Sequence, residues 1–68
     1  MKEVTKEAFF KVINQFDVHP QPVGRYPYTS IWKTRVGLEV GRTVDTEQGG
    51  MVASKYYLLD SWAHGSGP

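Results

Sequence analysis

Sixty-eight residues without a cysteine can form one small domain, but no disulfide, thiolate metal site or cysteine nucleophile. Eight Lys and Arg against seven Asp and Glu leave a net charge of +1. The signs are interspersed, which excludes the basic stripe of an obligate nucleic-acid binder. No apolar run approaches the ~20 residues of a membrane span. The start, Met1-Lys2-Glu3, has no apolar stretch behind it, so a cytoplasmic location is expected.

Residues 5–16 carry the clearest helical signal. Thr5 is a good N-cap, Glu7 falls in the first turn, and Val4 and Phe9 stand at staple positions. Phe9, Val12, Ile13 and Phe16 follow the i, i+3, i+4, i+7 rule and form one apolar stripe. Such a stripe must be buried. Residues 17–25 read as a connector, because Pro20 and Pro22 forbid regular helix.

From residue 26 the period changes from 3.6 to 2. Gly37 and the Gly49-Gly50 pair punctuate three runs, residues 26–34, 38–45 and 51–59. A three-residue loop, Arg35-Val36-Gly37, sets Trp32 against Val40, Ser30 against Arg42, and Lys33 against Glu39. A loop over residues 46–50 then sets Val44 against Val52 and Val40 against Tyr56. Both loops collect Tyr28, Trp32, Leu38, Val40, Val44, Val52, Tyr56 and Leu58 on one face. The fold class predicted is α+β. An N-terminal helix packs on one face of a three-stranded antiparallel β-meander (α-β-β-β), forming a single domain over residues 1–60. Residues 61–68 form a flexible C-terminal tail by composition, with Trp62 able to fold back on a core edge.

Four groups of residues could carry chemistry. Arg42, mid-strand on the expected core face between Ser30 and Ser54, suggests a small anion pocket, since a guanidinium fork suits planar oxygens. Structural readings are favoured over that one: Arg42 caps the C-terminal carbonyls of the helix or pairs with Asp17, or a bulge turns it outward. The reverse of the sheet, with Thr29, Ile31, Lys33, Gly41, Thr43, Ala53, Lys55 and Tyr57, has no second helix to cover it. It faces solvent or a partner. The run Arg25-Tyr26-Pro27-Tyr28, continued by Trp32, Lys33 and Arg35, could stack bases, but Tyr28 and Trp32 are assigned to the core. Asp17 and His19 lack a nucleophile or third ligand, and His64 is remote, so neither a metal nor a cofactor is expected.

No catalytic constellation emerges, so a non-enzymatic role is expected. The leading expectation is a protein-interaction module of the adaptor or inhibitor kind that phages and mobile elements carry. It would bind another protein, or itself, through Ile31, Lys33, Arg35, Lys55 and Tyr57. A nucleic-acid-binding domain using the sheet is the alternative, and an anion binder around Arg42, Ser30 and Ser54 a third.

Overall fold

The helix forms where its apolar spacing places it. In the computed structural model, which describes residues 1–24 and 28–63, α1 spans Lys6–Gln15. The Thr5 hydroxyl accepts the Ala8 amide at 3.1 Å. Glu7 occupies the first turn, where the amide dipoles favour an acid. Phe9, Val12 and Ile13 are buried. Phe16, fourth in the stripe, lies past the helix end, is half exposed, and meets Trp62 edge-on at 4.9 Å.

The sheet corrects the expected architecture. Instead of a three-stranded meander there are five strands: β1 (Lys2–Val4), β2 (Val18–Val23), β3 (Tyr28–Thr34), β4 (Glu39–Gln48) and β5 (Met51–Leu58). All pair antiparallel in the order β1-β5-β4-β3-β2. A four-residue helix, α2 (Asp60–Ala63), follows. Residues 61–63, assigned to the tail, are therefore helical, and Trp62 and Ala63 pack against the core. Residues 64–68 of that tail lie outside the described residues.

The expected connector is an edge strand. Prolines cannot donate to a ladder, so the bonds from β2 to β3 fall to His19, Gln21 and Val23, which face Lys33, Ile31 and Thr29. Pro20 and Pro22 then turn their donor-free nitrogens outward and blunt that edge. The opposite edge differs. β1 pairs with residues 56–58 alone, and residues 51–55 of β5 are all exposed.

Two features reset the register. The first hairpin closes as expected, with Thr34 N donating to Leu38 O at 2.9 Å and Lys33 facing Glu39. Next, however, Trp32 faces Gly41 rather than Val40, so Val40 is an extra residue and β4 bulges. Beyond it, Ser30 faces Thr43 and Ile31 faces Arg42. The second hairpin turns on two residues instead of five. Gly49 and Gly50, at φ of 58° and 81°, supply the pair of positive φ values that a type I′ turn needs. Val44 consequently faces Lys55, and Arg42 faces Tyr57.

One core results. Phe9, Val12 and Ile13 meet Val18, Val40 and Leu58, with Trp32 and Tyr56 partly buried around them. The Phe9 ring lies 5.4 Å from that of Trp32 and 5.5 Å from that of Tyr56. The indole of Trp32 donates to the Thr43 hydroxyl at 3.1 Å, which satisfies its polar edge. A ten-residue helix spans ~15 Å, whereas ten-residue β4 extends ~34 Å. The distal hairpin therefore projects past the helix. Tyr28 and Val52, expected in the core, are 62% and 69% exposed for that reason. Leu38, also expected there, is exposed at the opposite hairpin.

Candidate functional site

Both helices pack on the core side, so the reverse of the sheet is bare among the described residues. Its centre is one cross-strand row, Gln21–Ile31–Arg42–Tyr57–Glu3, each neighbour paired in the ladder. A second row, Val23–Thr29–Val44–Lys55, lies beside it, and His19–Lys33–Glu39 flanks it on the other side. Ile31, Lys33, Lys55 and Tyr57, expected on this face, are thus brought together. Arg35 stands in the β3–β4 turn at its corner, where Nε lies 3.4 Å from Asp17 Oδ2.

The bulge redistributes the rest. Gly41 and Thr43, expected on the bare face, lie on the core side, and Arg42 and Val44 replace them. Ser30 and Ser54 stay on the core side. The three residues proposed to hold an anion, Arg42, Ser30 and Ser54, are therefore split between opposite faces. Ser54 instead donates to Asp45 at 2.7 Å. Residues 25–27 of the aromatic and basic run lie outside the described residues.

Arg42 is engaged by an acid. Residues i and i+3 of a regular strand point to opposite faces, but the extra residue brings Glu39 and Arg42 to the same one. The guanidinium binds both carboxylate oxygens, Nε to Oε2 at 2.9 Å and Nη2 to Oε1 at 3.2 Å. These hydrogen bonds from Arg42 hold the Glu39 carboxyl below its usual range; burial opposes them, and the charges of Arg42 and Lys33 add to the lowering. A lowered folded-state pKa contributes stability above the unfolded value, and that contribution is lost as pH falls through the folded one. Arg42→Gln should therefore raise the Glu39 titration midpoint, followed by carboxyl-carbon NMR. The variant's stability deficit should shrink below pH 4.5, the ordinary value for this group. Equal midpoints in parent and variant would show that the pair is absent in solution.

Among the described residues no three His, Asp or Glu side chains gather as metal ligands, and no helix is long and apolar enough to cross a membrane. Asp17 accepts a hydrogen bond from His19 Nε2 while also meeting Arg35. These three and Lys33 gather at one corner, a cluster that sequence reasoning missed because β2 was read as a connector. The alternation Val18-His19-Pro20-Gln21-Pro22 was the available signal. Comparison with protein-family models, curated proteins and solved structures found no match.

Proposed function

We propose that this chain is a small cytoplasmic interaction module that seats a partner protein on the bare face of its sheet and catalyses no reaction. The observation that carries this reading is the central row Ile31–Arg42–Tyr57, uncovered by either helix. Arginine and tyrosine are residue types that anchor protein interfaces, and Ile31 extends their row with apolar area. Val44 and Val23 add apolar area beside them, while Lys33 and Lys55 supply a polar rim. Because Glu39 is locked to Arg42, that guanidinium is already oriented and loses little freedom on docking.

The test is capture with a photo-crosslinking residue at position 57, against a control at the helix position Lys11. Crosslinks from position 57 alone are expected, and the double variant Lys55→Glu, Tyr57→Ala should abolish capture while its amide spectrum stays dispersed. Capture that survives the double change would remove the sheet face from consideration. Lys33 and Lys55 on the same surface also favour a second reading, nucleic-acid binding. That reading requires affinity to fall steeply with salt, in proportion to the phosphates contacted.

A further inference from the structure

We infer that the concavity beside the β3–β4 turn is a binding site for a phosphate group. It is an open hollow of about 230 Å³ whose lining includes His19, Gln21, Lys33, Thr34, Arg35 and Gly37. Such a volume suits one small anion rather than a drug-sized ligand. This inference does not rest on the reading of the sheet face.

The argument begins with the bulge. In the ladder Lys33 faces Glu39, and an undistorted hairpin would leave these two charges to each other. The extra residue brings Arg42 onto the same face, and its fork takes both oxygens of Glu39. Lys33 is left with no ion pair among the described residues and lines the concavity, while its charge still acts on Glu39 at longer range. A cation in that position is a ready partner for an oxyanion.

Asp17 completes the arrangement from outside. It is not part of the lining, yet it accepts from His19 Nε2 and meets Arg35 at Nε. One carboxylate thus tethers two of the lining side chains. Arg35 makes no second acidic contact among the described residues, so its two Nη groups are free to donate. Gln21 adds an amide from β2. Donors from two strands and a turn therefore converge on one small space, a distribution that suits a tetrahedral group with oxygens in several directions. Net charge favours the same ligand, because Lys33 and Arg35 outweigh Asp17.

The test is an amide-resolved NMR titration of the full chain with inorganic phosphate, at ionic strength held constant with chloride. Saturable shifts confined to positions 19, 21 and 33–37 are expected. Lys33→Met and Arg35→Gln should each weaken binding about tenfold, the loss of one charge-assisted hydrogen bond, while Lys55→Met leaves it unchanged. Both substituted residues are exposed or half-exposed, so the variants should remain folded, as their spectra will report. A parallel titration with a phosphoserine peptide separates the sources. Tighter binding than phosphate identifies a protein-borne group, and equal or weaker binding identifies the free ion. Shifts that fail to saturate, or that appear equally at Lys6, Lys11 and Lys55, would overturn the site.

Discussion

Phe9→Ala is expected to unfold the domain at room temperature. The side chain is fully buried and touches the rings of Phe10, Trp32 and Tyr56 at centroid separations of 5.2–5.5 Å. Removing a buried phenyl ring costs about 3–5 kcal/mol, the lost transfer energy plus the cavity left behind. A core in a chain of this size supplies about the same amount in total. No disulfide stands in reserve, since the chain has no cysteine. Circular dichroism and amide dispersion should both collapse, whereas Phe9→Leu, which keeps most of the volume, should fold with a lowered Tm. Phe16→Ala is the comparator, because that ring is half exposed. An unchanged urea midpoint for Phe9→Ala would mean that α1 is not seated on the sheet.

Gly41→Ala should destabilise the protein by about 3 kcal/mol, the upper end of the usual overpacking cost. A Cβ at this position would stand 2.3 Å from the Tyr57 carbonyl oxygen, 3.0 Å from Phe9 Cε1 and 3.1 Å from Leu58 Cδ2. The two side chains could give way by small rotations. The carbonyl belongs to the backbone of β5, so β4 and β5 must separate at the end of their continuous ladder, where Gly41 faces Leu58. Denaturant midpoints for Gly41→Ala and Gly24→Ala provide the check, since a Cβ at Gly24 meets nothing within 4 Å. Were Gly41 on the bare face, as its strand position suggests from sequence, the substitution would cost less than about 0.5 kcal/mol. A near-neutral result would therefore remove the bulge, and with it the Glu39–Arg42 pair and the freed Lys33.

That chain of dependence links fold to function. One inserted residue sends Arg42 outward, gives Glu39 a partner three positions away, and leaves Lys33 lining a concavity. Both proposed surfaces follow from it. The edges matter too. Pro20 and Pro22 close β2 to further strands, while residues 51–55 of β5, with exposed Met51 and Val52 among them, keep an open edge among the described residues.

Much of the sheet was legible despite two wrong registers, for a reason the ladder makes plain. The bulge shifts β4 by one residue against β3, and the tight glycine turn shifts β5 further against β4. The errors combine so that Trp32 lines up through Gly41 with Leu58, rather than through Val40 with Tyr56. Leu58 and Tyr56 are two residues apart and share a face. β3 and β5 therefore kept their assigned sides, and β4 alone past the bulge was inverted. The candidate site suffered where β4 supplies it. Ile31, Lys33, Lys55 and Tyr57 were placed together correctly, whereas Arg42 was grouped with serines on the far side. The isolated Gly41 inside a strand was the one local hint of a bulge.

Local patterns in the chain determined the helix, its cap, the first hairpin and the sides of β3 and β5, because each depends on neighbours within a few residues. Tertiary structure alone decided that residues 2–4 become a strand, since their partners, residues 56–58, come from the other end of the chain, whereas residues 18–23 pair with the next strand, β3, and carry their own alternation. It also decided which way Arg42 points. With a side-chain period of two, a single extra residue reverses every position beyond it. The isolated Gly41 hints at that residue, but the close approach of Phe9 and of the Tyr57 carbonyl to Gly41 is visible only in the folded chain.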